Sequence, residues 1–304
     1  MKYCIIGAGG CGGSLAAYLT DAKKDVTVIA RGKHLEAMQQ KGLIVDTPHR
    51  GTFTAAVRAV TEVEYTEIPD VIFVCVKGYS LDSVVPFLQK HTDKHTIILP
   101  ILNIYGTGSA LQNMIPDSLV LDGCIYIAAE IKEPGRIWQK GDIFRVVFGV
   151  RNQKDDRPEL KTIESDLRDA GITPLLTDHV KRDTFKKYAY VAPMAACGLY
   201  FDASAGAFQK EGEERQLFAN CMREIDALAV AMGIPFDIDI VQTNLNILDG
   251  LDANASTSMQ RDIWAGKDSE IDGLVFEPVR MGRKYHVDMP YYEMIAKKFG
   301  MKDC

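Results

Sequence analysis

The chain has 304 residues, of which 47% are hydrophobic and 25% charged, and its formal net charge is -6 at pH 7. The length exceeds that of one ordinary core and points to two domains, while the composition is that of a globular chain and not a disordered one. The negative balance argues against a nonspecific grip on nucleic acid or an anionic membrane, so any phosphate ligand is expected to be small.

In chain order, "KYCIIG" reads as a buried strand, "GSLAAYLTDA" as a helix with an apolar face, and "DVTVIAR" as a second strand, which together make a βαβ unit. A further strand and helix follow through "DVIFVCVKGYSLDSVVPFLQK", whose apolar run is too continuous for a half-exposed strand and suits a parallel sheet covered on both faces. "HTIILPILN" and "SLVLDGCIYIAA" supply two more strands with the short helix "GSALQNMI" between them. "GRIWQKGDIFRVVFGV" reads as paired strands turning at Gly141 and Asp142, and "PELKTIESDLRDAG" as a closing helix.

Beyond about Thr177 the apolar period becomes helical throughout. The expected fold class is therefore α/β, with an N-terminal Rossmann-type doubly wound sheet over 1–177 and a C-terminal all-helical domain over 178–304. The seven cysteines (Cys4, Cys11, Cys75, Cys124, Cys197, Cys221 and Cys304) are odd in number, scattered, and without a C-x-x-C pair. They suit a reducing cytoplasm and suggest neither a disulfide framework nor a metal site. No export signal is read, and no apolar stretch approaches the ~20 residues of a membrane span.

Gly7, Gly9 and Gly12 satisfy G-x-G-x-x-G between a strand and a helix. In that setting the first glycine makes the tight turn, the second admits a pyrophosphate, and the third lets helix and strand pack closely. The residues Gly7, Ala8, Gly9, Gly10, Cys11 and Gly12 are thus the candidate dinucleotide loop, against the blander alternative of a glycine-rich turn. Cys11 is read as a small residue that fits there, not as a nucleophile.

At the end of the second strand, where an acid would bond the ribose 2′-hydroxyl of NAD, stand Ala30, Arg31 and Gly32. Arginine can make charge-assisted bonds to a 2′-phosphate, so NADP(H) is the expected cofactor. Lys77 and Asn103 end two later strands, at the edge where open α/β sheets bind ligands. Each is as readily an ordinary polar strand end.

These residues resemble the ketopantoate reductases (2-dehydropantoate 2-reductases) among the 6-phosphogluconate dehydrogenase-like NADP enzymes. The likeness runs from "GAGGCGG" and Arg31 through "VCVKGYS" and "LNIYG" to "STSMQRDIWAGKDSEID", where Glu270 follows Ser258 by twelve residues. The resemblance implies that the loop, Arg31 and Lys77 hold NADP, that Asn103 lies between nicotinamide and substrate, and that Ala129 touches the cofactor through its backbone. It implies Lys187 as the catalytic lysine, with Lys186 the neighbour to tell it from. It also implies Ser258 as a contact of the substrate carboxylate, and Glu270 as a catalytic residue near the nicotinamide.

A lysine ammonium can stabilise the charge that develops on a keto oxygen and then deliver the proton. The expected reaction is NADPH-dependent reduction of a small 2-oxo acid to a 2-hydroxy acid, as in the formation of pantoate for pantothenate biosynthesis. The family commonly has asparagines four and eight residues after the lysine, and here these positions are Val191 and Ala195; a third falls at Ala205. A more apolar substrate site is expected, which leaves room for an opine-type dehydrogenase on the same scaffold. A noncatalytic NADP-binding sensor is the rival from another class. The partner is a small molecule and neither nucleic acid nor membrane. A homodimer is compatible with this reading, and nothing in the sequence sets the oligomeric state.

Overall fold

The first βα turn sets the architecture. In the computed structural model, which describes residues 1–302, the chain opens with β1 (Lys2–Ile6), α1 (Gly10–Asp21), β2 (Asp25–Ile29) and α2 (Gly32–Lys41). It continues with β3 (Leu43–Thr47), β4 (Gly51–Ala55), β5 (Arg58–Val60), β6 (Val71–Val74), α3 (Leu81–His91), β7 (Ile97–Pro100) and α4 (Thr107–Met114). Then come β8 (Leu119–Val120), β9 (Asp122–Glu133), β10 (Arg136–Gly149), α5 (Pro158–Asp169) and β11 (Thr173–Leu176). The rest is helical: α6 (Val180–Phe201), α7 (Ala205–Phe208), α8 (Glu213–Ala231), α9 (Ile240–Asp249), α10 (Ser258–Trp264), α11 (Glu277–Tyr285) and α12 (Pro290–Lys298). Asp303 and Cys304 lie outside the described residues.

The chain divides into two units, one made of Met1–Leu102 with Gly106–Val180, the other of Asn103–Tyr105 with the chain from Lys181 onward. In the first unit a six-stranded parallel sheet runs in the order β5-β2-β1-β6-β7-β8. Its inner strands β6 and β7 are buried along their whole length, as a sheet covered on both faces requires. A second, mixed sheet is ordered β11-β10-β3-β4, with β9 paired to β10. Helix α1 packs against both sheets, and Gly12 to Leu19 are all buried. That explains its weak amphipathicity: a helix enclosed on every side has no polar face.

The turn expected at Gly141 and Asp142 is elsewhere. β9 and β10 are joined at Pro134 and Gly135, where Gly135 has φ +78°. β10 runs on through Gly141 and Asp142 with only a shift of register between Gln139 and Phe144. A bulge absorbs the extra residues without ending the strand. The pair β3–β4 was not foreseen either. β4 is mostly exposed, so its sequence "GTFTA" lacks the apolar run that marks a buried strand.

The second unit is built on α6, which is apolar from Tyr188 onward and carries Pro193 in its interior. Proline has no N–H for the carbonyl four residues back, that of Ala189. The buried Asn244 of α9 supplies the missing donor, its Nδ2 lying 3.1 Å from Ala189 O. The helix break is thereby converted into a contact with α9. The six cysteines among the described residues are free thiols.

Candidate active site

In the first unit β1 ends at Ile6 and Gly7 turns the chain with φ +99°, a conformation only glycine adopts at little cost. A Cβ there would lie 2.9 Å from the Cys75 carbonyl oxygen. A Cβ on Gly10 would overlap the carbonyl of Ala129, and one on Gly12 would overlap the carbonyl of Gly7. Gly9 differs, because a Cβ on it meets nothing within 4 Å. The protein itself fills the space beside Gly7, Gly10 and Gly12, whereas the space beside Gly9 is open.

Helix α1 starts at that point, with Gly9 as N-cap, no side-chain cap and no acid in its first turn. Its N-terminal amides and the positive end of its dipole therefore meet no competing cap or acid from the first turn, as an anion-binding helix start requires. Ala8 is buried and Cys11 half-buried, both against the core of this unit. The backbone of Ala129 meets the loop at Gly10.

β1 pairs in parallel with β2 and with β6, Ile6 standing beside Ile29 and Val74. The chain after each strand consequently leaves the same edge of the sheet, and that edge carries the glycine loop, Arg31 and Lys77. Arg31 is exposed, is the N-cap of α2, and is followed by a first turn without an acid. Lys77 is half-buried and precedes a single 3₁₀ turn, Gly78–Ser80.

Two residues near Arg31 escaped the sequence reading. Lys33 is exposed and adds a second cation to the start of α2. His34 accepts at Nδ1 the N–H of Gly135, at 2.9 Å, which ties α2 to the turn between β9 and β10. Burial lowers the pKa of His34, so the neutral ring that this bond requires is favoured. Neither residue belongs to a motif, so no local pattern marks them.

In the second unit Lys187 is 8% exposed, and its Nζ donates to Asn103 Oδ1 at 2.7 Å. Lys186 points elsewhere, its Nζ lying 3.2 Å from Asp183 Oδ1 and 2.5 Å from Asp237 Oδ1. Glu270 is only 3% exposed, not on an exposed helix, and stands one residue before the helical segment that becomes α11. Ser258 is the first residue of α10, half-buried, behind a capping box in which Thr257 Oγ1 accepts from Gln260 N–H. The Gln260 side chain also donates to Ala203 O at 2.8 Å, and Gly198 of α6 makes room for it. Ser258 is thereby fixed by the residue two places after it.

Val191 lies one helical turn beyond Lys187 and is half-buried at the edge of the core. Ala195 and Ala205 are wholly enclosed in that core, with no exposed surface. Of the three apolar replacements, Val191 alone keeps surface to offer a ligand.

Residues 3–153 match the family described as ketopantoate reductase PanE/ApbA, and residues 179–303 match its C-terminal domain. The chain belongs to the ketopantoate reductase family. A 2-dehydropantoate 2-reductase of Mesorhizobium japonicum is 28% identical over 95% of this chain and 93% of its own. An uncharacterized oxidoreductase of Bacillus subtilis, YkpB, is 24% identical over 100% of this chain and 99% of its own. The crystal structure of 2-dehydropantoate 2-reductase from Porphyromonas gingivalis is 26% identical, covers 99% of each chain and superposes with a TM-score of 0.84.

Ketopantoate reductase family members are oxidoreductases, and the parallel sheet with a helical C-terminal part is the architecture they share with this chain. Among the described residues no helix is long and apolar enough to cross a membrane.

Proposed function

We propose that this chain reduces a small 2-oxo acid to the corresponding 2-hydroxy acid with NADPH. The observation that carries the proposal is the buried ammonium of Lys187 at 2.7 Å from Asn103 Oδ1. Lysine is among the residues least often buried, because leaving water is costly for its charge. An ammonium kept there and oriented by an amide oxygen is suited to stabilise negative charge on a carbonyl oxygen and to hand it a proton.

When bound, the nicotinamide supplies the hydride. The glycine loop with the start of α1 would hold the pyrophosphate, and Arg31 with Lys33 the 2′-phosphate that distinguishes NADPH. Lys77 and the backbone of Ala129 would complete the cofactor contacts. Asn103 orients Lys187 and faces the substrate, Ser258 bonds the substrate carboxylate, and Glu270 acts beside the lysine. 2-Dehydropantoate (ketopantoate) is the substrate in the name of the Mesorhizobium japonicum relative, while the Bacillus subtilis oxidoreductase has none in its name. Here Val191 replaces an amide expected to bind the ketopantoate hydroxyl, which favours an acid without that group.

The test is NADPH oxidation by the purified chain against a panel of 2-oxo acids, with and without amino acids. Turnover with the acids alone supports the proposal. Turnover only in the presence of an amine would favour the opine-type reaction, and tight NADPH binding with no turnover at all would favour a sensor.

A further inference from the structure

We propose that Tyr188 is a positioning residue that holds the segments carrying Glu270 and Asn103 in register with Lys187, a role that rests on reading Lys187 as the proton donor. Tyr188 follows Lys187 on α6 and is 1% exposed. Its hydroxyl donates to the carbonyl of Gly273 at 2.7 Å. Gly273 belongs to the π-helical turn Asp272–Phe276, which begins two residues after Glu270, and the Leu274 N–H donates to Glu270 O at 3.0 Å. Single π turns interrupt the regular helical ladder and are found frequently at functional sites.

The same glycine is also the seat of Ile104. A Cβ on Gly273 would overlap Ile104, whose Cγ1 would be 2.6 Å away. Ile104 lies between Asn103, the partner of Lys187, and Tyr105. The ring of Tyr105 meets that of Phe185 at 4.7 Å and that of Tyr188 at 6.2 Å. Tyr188 therefore touches both pieces of chain, through its hydroxyl the one that follows Glu270 and through its ring the one that contains Asn103.

A phenylalanine would fill the same volume without the cost of burying a hydroxyl. What the hydroxyl adds is a fixed bond to one carbonyl of an irregular turn, and small misplacements around reacting groups are costly in rate.

The experiment compares wild type with Tyr188→Phe, which keeps the ring. Two quantities are read: kcat and KM for the best 2-oxo acid of the panel, and the 13C resonance of Lys187 labelled at Cε, recorded at one fixed pH. The expected result is a kcat lower by ~10-fold or more with KM and NADPH affinity changed less than about twofold. The Lys187 resonance should shift or broaden as its surroundings loosen. Gly273→Ala drives a methyl into Ile104, beside Asn103, and so disturbs the same junction from that side; it should give the same signature and carries the test where Tyr188→Phe does not fold.

Equal kcat together with an unchanged Lys187 resonance would overturn the inference, as would a change in KM alone. The resonance does not depend on which substrate is turned over. A wild type inactive toward every 2-oxo acid therefore counts against the functional reading, while the resonance still decides the role of Tyr188.

Discussion

Lys186 and Lys187 are neighbours on α6 whose ammonium groups have different partners, the first two carboxylates, Asp183 and Asp237, and the second the amide oxygen of Asn103. The first arrangement is that of a partly exposed ion-pair cluster, usually contributing about 1 kcal/mol or less. The second sets the nitrogen of a largely buried side chain against an amide oxygen. Lys187→Ala is expected to lower turnover by ~10²-fold or more with NADPH binding nearly intact, and Lys186→Ala to leave turnover within a factor of about three. Steady-state kinetics with a cofactor titration checks both. A large loss from Lys186→Ala alone would place the donor one residue earlier.

The loop glycines make a second, separable prediction. Gly9 has φ -66° and open space at its Cβ position, so Gly9→Ala is expected to leave thermal stability unchanged while weakening NADPH binding. Gly12→Ala drives a methyl into the Gly7 carbonyl and is expected to cost about 1–3 kcal/mol of stability. Melting temperatures and cofactor titrations of the two variants read the difference. Unimpaired NADPH binding by Gly9→Ala would show that the open space is not the pyrophosphate's.

Arg31 stands exposed at the end of β2, and no acid follows it in the first turn of α2. Arg31→Ala should weaken NADPH by about 1.5–3 kcal/mol, the range for a hydrogen bond to a charged group, and leave NADH almost untouched. Lys33→Ala should act in the same direction and less. Equal losses for both cofactors would remove the 2′-phosphate from this account.

The glycine loop, Arg31, and the change from strands to helices were legible because each is written in local order: a spacing, a missing acid, a change of period. Ser258 and Glu270 were legible only through the family resemblance: the capping box behind Ser258 is written locally as Thr257-x-x-Gln260 but marks a helix start and not a ligand contact, and the burial of Glu270 has no local pattern. The β3–β4 pair was missed because a mostly exposed strand carries no apolar run, and the hairpin turn was misplaced because Gly141 imitates the signal that Gly135 carries. Tyr188 and Gly273 are 85 positions apart, and nothing in either segment announces their bond. The segment Asn103–Tyr105 follows a strand of the first unit and yet packs with the second, which no local signal could show.

Glu224 gives the stability a predicted pH dependence. Its buried carboxylate on α8 accepts the backbone N–H groups of Tyr291 at 2.8 Å and Tyr292 at 3.1 Å, capping α12, whose own N-cap residue makes no side-chain bond. Burial pushes the carboxyl from 4.5 up to about 7, more than those two bonds lower it, and the like charge of Glu293 acts in the same sense as burial. The folded state then holds a proton that the unfolded state has released. This contribution to stability is full below about pH 4.5 and is lost as the pH rises through about 7. Its size is on the order of 3 kcal/mol at most. Urea unfolding at pH 5 and pH 8 should show a difference in wild type that shrinks in Glu224→Gln. An unchanged difference in the variant would assign the pH dependence to other groups.

Under the proposed function, Val191 is the position that sets how far this chain follows its relatives in substrate. It lies one turn from Lys187 and keeps surface, whereas Ala195 and Ala205 are enclosed in the core and have none to offer. An apolar side chain where an amide would bind the ketopantoate hydroxyl leaves that hydroxyl without a partner once water is expelled, at a cost of about 1–3 kcal/mol. Wild type is therefore expected to prefer 3,3-dimethyl-2-oxobutanoate, the same skeleton without the hydroxyl, over ketopantoate by ~10-fold or more in kcat/KM. Val191→Asn should move that ratio back toward ketopantoate. Ala195→Asn should not, because it forces an amide into packed space and is expected to lower stability by about 1–3 kcal/mol before it can touch a substrate. The measurement is the ratio of kcat/KM for the two acids in the three proteins, with melting temperatures alongside. A wild type that already prefers ketopantoate would show that other groups bind the hydroxyl and that Val191 does not set the specificity.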